Sequence, residues 1–322
     1  MNDHRFAIVT RDDLYALEDR ALLECRLAHG SAIVVGRQIS ARDDCEDALL
    51  QACDEEAAAV RSLLDTMDEG RARVVVSARV ASDGIDGVAS SFVASTIGLT
   101  IRDLSIVTTR EHLVRDYELL VDLGSVSPES EIDYHRLRLP LVWRNGSAAV
   151  LLHEAAGHAA EHGHASISWP PWLHVTDEPG DLPDDTGNIP ARADLLAGEC
   201  PTAFRRGSFN DVPLQRMTKL VVRQNNAPAT LPRRRIDVLL LAGGAYDALA
   251  QTVNLYVSAA DLVDGDRSTR LKPFVIRESR ATIARAIAAA SGEPQRYPGV
   301  ICSLEGQDVY VGSYAPLLVT EF

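Results

Sequence analysis

The spacing of apolar positions along this 322-residue chain switches repeatedly between helical and strand periods. Residues 12–29 carry a helical pattern that stops near Gly30, and Ala32 to Val35 is a short apolar strand. Ser40 caps a second helix whose stripe is Cys45, Leu49, Cys53, Val60, Leu63 and Leu64, ending at Gly70. Val74 to Val80 alternates with period two, Asp83-Gly84 is a turn signal, and Val88 to Thr109 continues as strands rich in β-branched residues. Leu113 to Leu123 reads as another strand. Ser125 to Glu131 is a linker, and it divides the chain into an N-terminal α+β domain (1–130) and a C-terminal domain (131–322).

In the second half, Leu137, Leu139 and Leu141 alternate as a strand leading to an Asn145-Gly146 turn. Ser147 is the expected N-cap of the next helix and Gly163 its stop. Trp169 to Cys200, rich in Pro, Asp and Gly, reads either as a surface loop or as a rim over a site or partner contact. Strands are expected at Met217–Val222, Ile236–Leu241 and Val253–Val257. Gly243-Gly244 reads as a turn, since it lacks the spacing of a phosphate-binding loop. Ser279 to Ala290 is an Ala-rich helix closed by Gly292, and the last strands carry Cys302 and Val309 to Val311. The fold class is therefore α+β, in two domains with mixed and antiparallel sheets, and with one buried helix in the second.

That helix carries the most informative residues. From Val150 to Ala160 everything outside His153, Glu154 and His158 is Val, Leu, Ala or Gly. A helix apolar all round is a buried helix, and buried His and Glu are costly unless paired. A divalent metal would satisfy all three, with neutral imidazoles as ligands and the carboxylate as a proton acceptor. The spacing is His-Glu-x-x-x-His, one residue longer than the zincin motif. On a regular helix the two imidazoles would point about 140° apart. They face one ion only if the helix widens between them, as a π turn does, and Gly157 eases that distortion. A trio hydrogen-bonded within the core remains open at this point. His158 and His162 form a rival pair four residues apart, but His162 and His164 follow the end of the apolar run and read as an exposed helix end.

Composition narrows the function. With 46% hydrophobic residues the chain can bury a core, and a net charge of −14 argues against nucleic-acid binding. Arg233-Arg234-Arg235 is the one dense basic cluster and reads as a solvated strand entry. No secretory signal or membrane-length apolar run is recognised, so no membrane association is expected. The cysteines (Cys25, Cys45, Cys53, Cys200 and Cys302) form no CxxC and are odd in number, as suits a reducing cytoplasm. Cys45 and Cys53 read as core filler.

Three ordered blocks resemble a known family. His153-Glu-Ala-Ala-Gly-His158, preceded by Val150-Leu151-Leu152, closely resembles the metal motif of the TldD/PmbA peptidases. Arg205-Arg206-Gly207-Ser208-Phe209 with Pro213 to Thr218, and then Cys302 to Gly312, resemble two further family segments. The chain departs from the pattern at Ala159, Glu161-His162-Gly163, Ser303, Tyr310 and Tyr314, and it is shorter in its N-terminal half. The resemblance implies a TldD-type, motif-bearing subunit in which His153, His158 and Cys302 hold Zn2+ and Glu154 is the catalytic base. It also implies a small or unfolded peptide substrate. The implied partner is either a related TldE/PmbA-like subunit lacking the metal motif, in a heterodimer, or a second copy in a homodimer.

The resulting expectation is a zinc-dependent peptidase or amidase for a peptide or peptide-like metabolite, in natural-product maturation among other settings. The alternatives are a non-catalytic structural subunit and a metal-dependent hydrolase of a non-peptide bond. Arg205, Arg206 and Arg216 read either as substrate-binding or, preferably, as structural ion pairs.

Overall fold

The computed structural model describes residues 4–9, 15–28, 46–67, 69–82, 89–164, 167–180, 184, 189–205, 212–225 and 230–322. The fold is α+β, as expected. Its first layer is an antiparallel meander of His4–Val9, Tyr15–Ala28, Glu69–Ser82, Ala89–Ile101 and Leu104–Thr108, paired in chain order. The helix Glu46–Leu64 buries Ala57, Val60 and Leu64.

Tyr15–Ala28 was expected to be helical. Its Leu, Ala and Glu favour a helix, but it pairs residue for residue with Glu69–Ser82. Tertiary pairing overrides local propensity here. The converse holds for Leu113–Ser125, read as a strand and found as a helix. Its buried face is Leu113, Asp116, Leu120 and Leu123, and the aspartate interrupts the apolar stripe that would have signalled the helical period.

The larger part of the 15-stranded sheet follows through Ile287–Leu304, Gln307–Thr320, Leu141–Trp143, Arg234–Asp247, Thr252–Asp264 and Arg267–Leu271. Leu141–Trp143 runs parallel to Arg234–Asp247, and Lys219–Gln224 runs parallel to Gln307–Thr320, so the sheet is mixed. Among the described residues one ladder pair, Val107 with Gly299, joins the meander to this part. Beside it, the Arg296 guanidinium meets Asp116 at 2.6 Å with both side chains buried.

Three further expectations change. Gly243-Gly244 lies inside Arg234–Asp247, opposite Tyr256 and Leu255, and is not a turn. The helix expected to run to Ala290 stops at Ala286, where the chain enters the strand Ile287–Leu304. The segment 169–200 contains a strand, Leu173–Asp177, which pairs with Lys219–Gln224. The Asn145-Gly146 turn is present, with φ of 54° and 74°. Arg234 and Arg235 enter their strand beside Asp264 and Asp237. The expected strand at 32–35, the Ser40 cap and the Asp83-Gly84 turn lie outside the described residues. No described helix is long and apolar enough to cross a membrane.

Candidate metal centre

The central helix begins as Ala148–Leu152, widens into a π turn over His153–His158, and closes as Ala159–Glu161. Every residue from Ala148 to Gly157 is buried. Ser147 does not cap it; its Oγ donates to Val238 O instead. The end is a left-handed Gly163 (φ 66°), with the His164 N–H returning to Ala159 O.

The π turn decides the site. It brings the His153 and His158 rings to 4.7 Å between centroids, nearly perpendicular, where a regular helix would turn them apart. Gly157 is required by packing as well: a Cβ there would lie 2.1 Å from Met217 Sδ, and Met217 is fully buried.

The strand Ile287–Leu304 brings Cys302 to the turn, with Sγ 3.5 Å from His158 Nε2. One ligand atom each from His153, His158 and Cys302 falls within 4.8 Å of the others. His158 Nδ1 faces Glu161 Oε2 at 2.7 Å, and Glu161 Oε1 accepts the Met217 N–H at 3.0 Å. A carboxylate on the far nitrogen of a ligating imidazole fixes the ring and its tautomer. Asp177 Oδ1 buttresses this wall by accepting from Thr218 N, Thr218 Oγ1 and Lys219 N.

Burial holds His153 well below the usual imidazole value, and the charges of His158 and Arg216 add to it, so His153 is neutral and free to ligate. Burial alone would also lower His158. Its hydrogen bonds to Cys302 and Glu161, with the charges of Cys302 and Glu154, outweigh that and hold it well above the usual value. Glu154 is pushed up to about 7, first by burial and then by Glu161, against the opposing charge of His158.

This donor set fits zinc. Both ring nitrogens of His153 and Oε2 of Glu154 are buried without a hydrogen-bond partner. Two imidazoles and a thiol are ordinary zinc ligands, and three protein donors leave a position open.

The structure brings together His153, Glu154, His158 and Cys302, and leaves out the rival imidazoles. His162 is exposed, and His164 Nδ1 meets Tyr246 OH at 2.6 Å. Arg216 is fully buried and donates to the carbonyls of Cys302 (2.6 Å) and Gln307 (3.4 Å), so it braces the ligand-bearing hairpin. Among the described residues it forms no ion pair. Arg205 donates to Tyr310 O, and Arg206 lies outside the described residues. Cys200 is half-buried, with its thiol directed at Gln215.

Sequence reasoning missed Glu161 and Gly244. A Cβ on Gly244 would sit 2.6 Å from Glu154 Cγ, so the missing side chain makes the space that the carboxylate occupies. The available signal was a glycine inside a strand pattern, which often marks close approach.

No protein-family model matches the chain, and no curated protein sequence does. Among solved structures the fold is similar to TldE from Thermococcus kodakarensis, at 11% identity over 96% of this chain and 95% of that one, with a TM-score of 0.56. A candidate modulator of DNA gyrase from Bacteroides thetaiotaomicron matches at 13% identity over 88% of this chain and 76% of that one, with a TM-score of 0.44. The fold thus resembles that of TldE, on the first of these likenesses.

Proposed function

We propose that this chain is a zinc-dependent peptidase or amidase that hydrolyses an amide bond in a small or unfolded peptide or peptide-like metabolite. The observation that carries the proposal is the convergence of His153, His158 and Cys302 beside the buried Glu154 carboxylate, whose Oε2 has no hydrogen-bond partner and lies 3.7 Å from His158 Nε2. Zinc, when bound, supplies a Lewis acid and eases the ionisation of water. Glu154, with a carboxyl pushed up to about 7, takes the proton of the attacking water and returns it to the leaving amine. Glu161 orients His158 through Nδ1, so that Nε2 faces Cys302. Arg216 holds the Cys302 carbonyl and with it the strand that presents the thiol.

The proposal extends to assembly, place and domain organisation. The chain pairs with a related subunit lacking His-Glu-x-x-x-His, or with a second copy, and works in the cytoplasm. The division at residue 130 is part of the same reading, supported by the single ladder pair among the described residues, Val107–Gly299, between the meander and the rest of the sheet. The likeness to TldE supports a second reading, a non-catalytic subunit of a TldD/TldE-like complex.

A peptide library incubated with the purified chain and any co-encoded partner separates the two. Cleavage read by mass spectrometry, lost in Glu154→Gln, supports the enzyme. Identical digests with and without Glu154 would refute it.

A further inference from the structure

Arg280 stands outside the ligand set yet touches its frame. It is the first residue of the helix Arg280–Ala286, whose cap Ser279 accepts from the Thr282 N–H, and its side chain is buried. Its own N–H donates to Gln251 O, and its Nε donates to Ala155 O at 2.9 Å. Ala155 lies in the π turn. In a regular helix the Ala159 N–H would donate to Ala155 O. Here the Ala159 N–H donates to Ala156 O instead. The Ala155 carbonyl accepts from Arg280 Nε, a donor that does not depend on that backbone bond. Buried carbonyls need donors, so a donor fixed at this place favours the widened turn over the regular helix.

We propose that Arg280 is a positioning residue that holds the π turn open, and with it the five-residue spacing by which His153 and His158 face one ion. The part of this proposal that concerns metal affinity rests on the zinc reading; the part that concerns the turn does not.

Three variants of the full chain separate the donor from the charge. Arg280→Gln keeps an N–H donor the same number of bonds from the backbone as Nε, without the charge. Arg280→Lys keeps the charge but puts a methylene there, and Arg280→Met keeps neither. Each is read by cobalt(II) titration, following ligand-field absorption, and by amide hydrogen exchange over residues 157–160 in the metal-free chain. The glutamine variant should stay near wild type. The lysine and methionine variants should bind cobalt about 10- to 100-fold more weakly, as loss of outer-shell partners does. Their exchange should be faster by roughly tenfold or more, as local opening becomes easier.

Wild-type exchange in the lysine and methionine variants overturns the proposal, and so does protection by lysine but not by glutamine. If the methionine variant does not fold, the comparison of glutamine with lysine decides alone. A wild-type chain that takes up no cobalt, but whose exchange follows the predicted order, sinks the zinc reading and supports the positioning role. Cobalt uptake that is identical in all variants, with identical exchange, does the reverse.

Discussion

Gly244→Ala tests the placement of the proposed base through the side chain nearest to it. Gly244 lies within the strand Arg234–Asp247 and its φ is not positive, so the backbone accepts alanine. The obstacle is the Glu154 side chain. The new methyl would stand 2.6 Å from Cγ, 2.9 Å from Cδ and 2.8 Å from Oε1. Non-bonded carbons pack at about 3.5–4.0 Å, so the carboxyl must retreat by roughly 1 Å. Overpacking of this kind costs about 1–3 kcal/mol of stability. A displacement of about 1 Å in a reacting group costs on the order of 100-fold in rate. The three atoms nearest the new methyl all belong to Glu154. The expected variant is folded, somewhat less stable, equal to wild type in zinc content, and about 100-fold slower on any peptide that wild type cleaves. Steady-state kinetics beside elemental analysis measures both. Wild-type turnover in a folded Gly244→Ala protein would show that Glu154 is not the base.

Glu161→Gln, which weakens the hold on His158 Nδ1, should lower zinc affinity about 10- to 100-fold in a chelator competition; unchanged affinity would mean that the contact does not orient the ligand. Asp116→Ala leaves Arg296 buried without its carboxylate and should cost about 3–5 kcal/mol in denaturant unfolding. The double variant with Arg296→Met should recover part of that loss. Glu178 is held below the usual carboxylate value, first by its hydrogen bonds from Arg223, one at 3.0 Å. Its folded value is depressed, so its stabilisation is present above the unfolded value of about 4.3 and fades as the pH falls through the folded one. Arg223→Gln should therefore lose up to about 1 kcal/mol at neutral pH, given the exposure of the pair, with the gap to wild type closing as pH drops below about 4. A gap that widens on acidification would contradict this.

How much of the site could be read in the sequence depended on how local its causes were. The five-residue spacing of two buried imidazoles around Gly157 implied a widened turn, because no regular helix turns both inward, and the π turn is there. Glu161 was not legible. It follows the apolar run and precedes exposed His162 and Gly163, while one of its partners, the Met217 N–H, is 56 residues away in sequence. Gly243-Gly244 looked like a turn because glycine pairs usually are, and the reason for Gly244 is a carboxylate brought from another element. Asp116 hid the helix of Leu113–Ser125 by placing a charge on its buried face, where Arg296 waits from the far end of the chain. The Ala-rich stretch after Ala286 has helical propensity yet pairs with Gln307–Thr320, a choice made by the sheet.

Metal content tests the central claim most directly, measured by elemental analysis on the wild-type chain and on the His153→Ala and Cys302→Ala variants, each alone and with any co-encoded partner. The account predicts about one zinc per chain, as a three-ligand catalytic site holds, and its loss in both variants. Wild-type protein without zinc in either form, or full zinc content in both variants, would contradict it.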